Sequence, residues 1–249
     1  MAETVLQRLN ATNSKAVFIY VTAGDANETN GWWEARETGT LAASKAWVEA
    51  LGLFNSRIRT ETIFLSQHSV HKATIGNAVH YFLRLTEAAV EAFMAHKKIP
   101  AVPPVDRPSE RYRSLDDIKD VVHAIMHRES NRMPTVTVAT HEFQGFAADD
   151  IGVDHVLHER TGEMVDEIVA TSRDFSQCVS RTFYYGYQRW LHPRNMSPVA
   201  MRLQRHAASS DMFDEHKIFY PVWLDHAQHL GREYVSRTIS VDGKCSVNF

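Results

Sequence analysis

Cysteine is scarce in this chain: only Cys178 and Cys245 occur in 249 residues. Two cysteines are too few for a disulfide framework, and a reduced, cytoplasmic chain is the simpler expectation. No apolar run is long enough to cross a bilayer, so no membrane span is expected. The opening residues, Met1 to Leu9, have no basic head and no continuous apolar core, so no signal peptide is read there. An excess of one charge is also missing. Lys and Arg number 27 against 30 Asp and Glu, a net charge of -3 with His neutral. That balance gives no electrostatic case for nucleic acid or an anionic membrane surface. No Walker A loop, no Gly-x-Gly-x-x-Gly and no Ser-centred nucleophile elbow occur, and neither cysteine stands in a recognisable nucleophile setting. Nucleotide-dependent transfer therefore lacks its usual phosphate loop.

What is present suits one globular domain over residues 1–249: the chain is 44% hydrophobic and 23% charged. The 14 histidines keep a metal site in view. Residues 3–11 carry Val5, Leu6 and Leu9 at helical spacing. Residues 16–22 form a short β-branched and aromatic run that predicts a buried strand. Residues 32–51 predict a helix, with Gly52 as its C-terminal stop. A second strand is expected from Thr60 to Leu65, and residues 66–81 read as a polar loop or lid. Residues 86–97 can be helical. The Pro-rich run from Ile99 to Pro104 is a surface loop. Ser114, followed three residues later by Asp117, opens a helix. A third strand covers Thr135 to Thr140, a helix 155–170, an aromatic strand Thr182 to Tyr187, and a helix broken near Pro221 spans 212–235. This alternation argues for a mostly parallel sheet covered by helices. The chain opens on a helix, whereas a doubly wound sheet begins with a strand that becomes central.

Candidate chemistry sits where strands stop, because ligands of open α/β sheets bind outside the carboxyl ends of the strands. The first such place is Thr22-Ala23-Gly24-Asp25, followed by Arg36 on the next helix. Arg36 can hold a phosphate or carboxylate through two hydrogen bonds, or can pair with a nearby Glu on the helix surface. Asp25 can accept from a sugar hydroxyl or cap the turn. Trp32 and Trp33 can stack on a sugar ring or pack locally. The second place is Asp154-His155 at the start of the 155–170 helix, with His158 three residues on. A carboxylate beside an imidazole suits a metal ligand or an acid–base pair; the same residues also fit a solvated helix N-terminus whose acids complement the dipole. The pairs around His68, His71, His216, His226 and His229 carry no distinguishing pattern. Loops at 66–81, 98–113 and 188–211 would shape the pocket.

The run Thr22-Ala23-Gly24-Asp25 followed by Trp33-Glu34-Ala35-Arg36-Glu37-Thr38-Gly39-Thr40-Leu41-Ala42-Ala43 resembles the second motif of the PIG-L (LmbE-like) deacetylases. Asp154-His155, with Thr161-Gly162 after it, is similar to that family's His-x-Asp-His motif. Lys217 to Gln228 loosely resembles its C-terminal Lys…His…Gln pattern. The resemblance implies a Rossmann-like three-layer α/β fold and zinc-dependent removal of an N-acetyl group from an amino sugar or glycoconjugate. It implies that His155 binds zinc, that Asp154 assists catalysis, that Arg36 and Asp25 line the substrate pocket, and that His158 is a fallback ligand.

Two departures stand out. The family's His-Pro-Asp-Asp motif, which supplies two zinc ligands and the general base, is absent, and Gly152 replaces the first His of the later motif. Both the missing motif and the missing first strand belong to one upstream segment, so the expectation is a chain that lacks that segment and is impaired as given. The alternative is a non-catalytic ligand-binding or interaction protein on a degenerate hydrolase fold. Without a first strand, exposed sheet edges favour a homo-oligomer.

Overall fold

A computed structural model describes residues 1–131, 133–144, 154–189, 192–210 and 230–245. The chain is mixed α/β. Helix α1 (Ala2–Leu9) leads into strand β1 (Ala16–Thr22) and helix α2 (Trp32–Leu51), which stops at Gly52 in the left-handed conformation, φ 68°. Strands β2 (Arg59–Leu65), β3 (His68–Ile75) and β4 (Ala78–Leu85) follow, then helices α3 (Glu87–Met94) and α4 (Leu115–Ser130). Strand β5 (Val136–His141), helix α5 (Val156–Thr171), strand β6 (Val179–Tyr184), helix α6 (Pro198–Ser210) and strand β7 (Val235–Ile239) complete the described elements.

The strands form two sheets where one mostly parallel sheet was expected. The first has the order β1-β4-β3-β2, the second β5-β6-β7. Pairings β1/β4 and β5/β6 are parallel; β2/β3, β3/β4 and β6/β7 are antiparallel. The antiparallel pairs of the first sheet come from the 66–81 segment, which is no loop. It supplies β3 and the start of β4, joined at Gly76, φ 57°. Its polar residues hid the strand because His68 is itself buried, stacked on Tyr112 with ring centroids 3.8 Å apart. Strand β4 lies between β1 and β3, and all but Arg84 of its residues are buried, as a strand covered on both faces must be.

Further on, the aromatic strand begins at Val179 and ends at Tyr184, before a 3-10 turn at Tyr187–Arg189. The expected helix over 212–235 falls for its greater part, including Lys217 to Gln228, outside the described residues; residues 230–234 are not helical and Val235 starts β7. Part of the expected 188–211 loop is helix α6. The 98–113 segment is a loop closed by one bridge, Val102 to Tyr112.

The helices fall into two groups: α1, α2 and α6 contact one another, as do α3, α4 and α5. The second group packs with the apolar residues of β1 and β5 into the main core around Val79, Tyr81, Leu83, Ile118, Ile125 and Val169. That core takes in residues of both sheets and locks the ends of β1 and β5 in fixed positions. The expectation of reduced cysteines is overturned: Cys178 and Cys245 are disulfide-bonded, across 67 residues of sequence. The bond ties the segment after β7 to the start of β6, and it removes the composition's argument for a reducing compartment. No described helix is long and apolar enough to cross a membrane.

Candidate metal centre

Strand β5 ends at His141, and Asp154 and His158 flank the start of α5. Each offers a ligand atom, and these atoms lie within 4.8 Å of one another. Asp154 is at the centre, with a fully buried side chain. Its Oδ1 accepts from the backbone of His155 at 2.8 Å and from His158 Nδ1 at 2.7 Å. A carboxylate can only accept, so His158 donates through Nδ1; in the neutral ring Nε2 then carries the lone pair. Asp154 Oδ2 and His141 Nδ1 are both buried with no hydrogen-bond partner among the described residues, and stand 4.0 Å apart. The two imidazoles stack with centroids 4.2 Å apart.

Glycines allow this crowding. A Cβ on Gly162 would overlap the carbonyl of His141, and one on Gly186 would overlap the Asp154 carboxylate. Gly162 therefore lets α5 settle on the end of β5, and Gly186 lets the strand β6 exit pass against Asp154. Next to His141, Glu142 is 2% exposed and accepts from the backbones of Phe143 and Gln144 and from Arg237 Nε at 2.9 Å. It anchors the strand end through these bonds.

Burial, aided by the nearby His158, pushes the His141 imidazole down to about 4. Burial works against the Asp154 carboxylate, but the His158 hydrogen bond and charge outweigh it and hold the group below its usual range. The resting state is thus a neutral imidazole beside an ionised carboxylate, the protonation states that metal binding requires. Two His and one carboxylate are a donor set that could hold a metal ion with positions left open, and zinc and non-haem iron are both bound by such sets. Tetrahedral metal bonds of about 2.0–2.2 Å would place ligand atoms roughly 3.3–3.6 Å apart, so the cluster would close slightly around such an ion.

The sequence-derived residues divide. Asp154 and His158 belong to the cluster. His155 is the N-cap of α5: its Nδ1 accepts from Leu157 N at 3.2 Å, and its ring centroid is 5.6 Å from that of His158. Asp25 and Arg36 lie at the end of β1. Asp25 is buried and its Oδ1 accepts from Glu87 N at 2.8 Å, capping α3. Arg36 Nη1 donates to the Gly24 carbonyl at 3.2 Å, under a glycine whose φ of 66° excludes most side chains. Neither lines the cavity at the cluster. His141 was missed, although the signal was available: it directly follows an alternating run and occupies a strand end, the rule that selected Asp25.

The chain matches no family model, and neither a curated protein nor a solved structure matches it.

Proposed function

We propose that the chain is built as a zinc-dependent hydrolase acting on an N-acetyl amide of an amino sugar or glycoconjugate, with His141, Asp154 and His158 as the metal-holding residues. The observation that carries the reading is a pair of buried atoms, Asp154 Oδ2 and His141 Nδ1, without hydrogen-bond partners among the described residues and 4.0 Å apart beside a hydrogen-bonded His158. A buried polar atom without a partner costs roughly 1–3 kcal/mol, and two at one point are tolerated where something else satisfies them. The amide specificity and the sugar rest on the PIG-L resemblance. When bound, zinc would polarise the amide carbonyl and acidify a water.

The chain's own residues have separable tasks. His141 and His158 bind through neutral nitrogens. Asp154 uses Oδ2 toward the ion and Oδ1 to fix the His158 tautomer, a carboxylate–histidine arrangement that raises ligand basicity. Tyr187 packs edge-on against His158 with ring centroids 4.9 Å apart.

A Rossmann-like three-layer arrangement belongs to the same reading. It is supported by the two helix groups, and by the parallel pairing of β1 and β5, each on one side only among the described residues. The test is zinc titration of the metal-free chain with an acetate-release assay on N-acetylglucosamine derivatives. Stoichiometric zinc with chelator-sensitive hydrolysis supports the proposal. Sugar binding with neither zinc nor hydrolysis replaces it with a ligand-binding protein.

A further inference from the structure

Strand β2 is an outer strand of the first sheet. It ends in a two-residue turn, Ser66–Gln67, whose φ angles of 44° and 69° close a hairpin with β3. Leu65 and His68 stand opposite each other across that turn. The pair flanking a two-residue turn exchanges both of its backbone hydrogen bonds, and the pattern alternates from there. Leu65, Ile63, Glu61 and Arg59 therefore use their N–H and C=O groups on β3. Phe64, Thr62 and Thr60 aim theirs away from the sheet, where no strand follows among the described residues. Such an edge can pair with another strand unless it is blunted. Strand β2 contains no proline, its register with β3 is unbroken from Arg59 to Leu65, and Phe64 is 71% exposed.

The two faces of this edge differ. Ile63 and Leu65 pack against the main core, so alternation puts Glu61 and Arg59 on that side and Thr60, Thr62 and Phe64 on the other. Continued one residue back, the alternation puts Ile58, 37% exposed, on the face of Thr60. Lys72 Nζ bonds to Glu61 Oε1 at 2.8 Å, yet the Glu61 side chain stays 55% exposed and a carboxylate has further lone pairs to offer. Arg59 is exposed and has no hydrogen bond or ion pair from its side chain among the described residues.

We propose that β2 pairs with β2 of a second copy of this chain, antiparallel about a two-fold axis at Thr60, so that the two first sheets become one. Charge selects the register. An axis at Glu61 sets Glu61 against itself, and an axis at Arg59 sets Arg59 against itself; like charges directly opposite are destabilising. An axis at Thr62 sets Glu61 against Ile63 and Arg59 against Leu65. Only the axis at Thr60 puts each Arg59 opposite the other copy's Glu61, once on each side of the axis. In that register Thr62 faces the other copy's Ile58, and Phe64 lies diagonal to the same Ile58, within reach of an aromatic ring. The exposed apolar residues of the edge thus cover one another. The contact is isologous and closes at two copies. It stands apart from the metal reading, since β2 takes no part in the cluster.

The experiment is sedimentation of the full chain over a concentration series, which should show a reversible monomer–dimer equilibrium. R59E and E61R should each weaken dimerisation at least tenfold. The double variant R59E/E61R should recover most of the loss, because its reversed charges face each other again. Cys178 and Cys245 are bonded to each other, so a cysteine introduced on β2 is the one free thiol among the described residues. Opposite Cα atoms of a hydrogen-bonded pair lie about 5.5 Å apart, within disulfide reach. T60C should therefore cross-link to a dimer on mild oxidation. T62C should not, because its two copies stand about 13 Å apart along the strands. If a charge variant fails to fold, the comparison of T60C with T62C decides. A chain that is monomeric throughout the series, a dimer indifferent to the charge reversals, or cross-linking by T62C in place of T60C overturns the proposal.

Discussion

The ends of β1 and β5 are the same kind of place, the carboxyl end of a strand with a parallel neighbour, yet they have opposite polar economies. At the β1 end most charges are answered, although Glu34 Oε2 is buried without a partner among the described residues. Arg84 donates through Nε to Glu37 at 2.8 Å and through Nη1 to Asp106 at 2.7 Å, and its guanidinium lies 5.1 Å from the Trp33 ring centroid. Asp25 caps α3 and Arg36 is spent on Gly24. At the β5 end, Asp154 Oδ2 and His141 Nδ1 are left facing each other. Sequence pattern drew attention first to the β1 end, and geometry draws it to the β5 end. Residue types able to do chemistry are common at strand ends; what separates a scaffold from a site is whether those groups have already been satisfied by each other.

The comparison breaks most sharply at Asp154. Asp154→Asn should take zinc from stoichiometric to undetectable in equilibrium dialysis, because it removes one ligand and the orienting partner of His158 together. If the variant retains zinc, the cluster is a structural dyad like those at the β1 end. The next effect in size comes from reducing the Cys178–Cys245 bond, which closes a separation of 67 residues. Loop entropy of that length corresponds to about 4 kcal/mol, read as a lower Tm in dithiothreitol. Since the bond sits at the start of β6 and the cluster at its end, zinc stoichiometry should persist in the reduced, folded chain.

Acid should cost stability by way of His80. Fully buried, its imidazole is pushed down to about 4, and Nε2 has no partner among the described residues. The unfolded imidazole titrates near 6.5, so the unfolded chain binds the extra proton first. Stability is full above that value and falls as pH drops toward 4, by an amount on the order of 3 kcal/mol. His141 adds a loss of the same sign. His80→Phe should flatten part of the stability–pH curve measured by denaturant unfolding, and an unchanged curve would mean that His80 is not buried neutral. The smallest effect is expected at the answered end. Arg84→Met removes both hydrogen bonds to Glu37 and one of the two to Asp106, which keeps Arg107, and should lower stability by about 2 kcal/mol while leaving zinc stoichiometry intact. Loss of zinc in that variant would join the two ends into one site.

Much of the framework was legible from pattern alone. Helix α2 was bounded correctly at both ends because Gly52 is a left-handed stop. Strand β1 and helix α4 follow from short β-branched runs and from apolar spacing at Ile118, Val121, Val122 and Ile125. Strand β3 was not legible. Its buried positions include a histidine, satisfied by Glu110 Oε1 at 3.2 Å and by stacking, and polarity was read as exposure. At the site, Asp154 and His158 were within reach of spacing arguments, while the choice of His158 over His155 turned on a cap: one imidazole is used by the Leu157 amide and the other turns back to Asp154.

By itself, then, the sequence determined the alternation of strands and helices, the helix stops and the presence of reactive side chains at strand ends. Each depends on contacts within a few residues: periodicity, caps and backbone freedom. Only the tertiary structure decided that the strands divide into two sheets, that Cys178 meets Cys245, and that His141 joins Asp154 and His158. Those outcomes depend on which elements pack against which, and on two glycines, Gly162 and Gly186, that let segments distant in sequence approach closer than any side chain would permit.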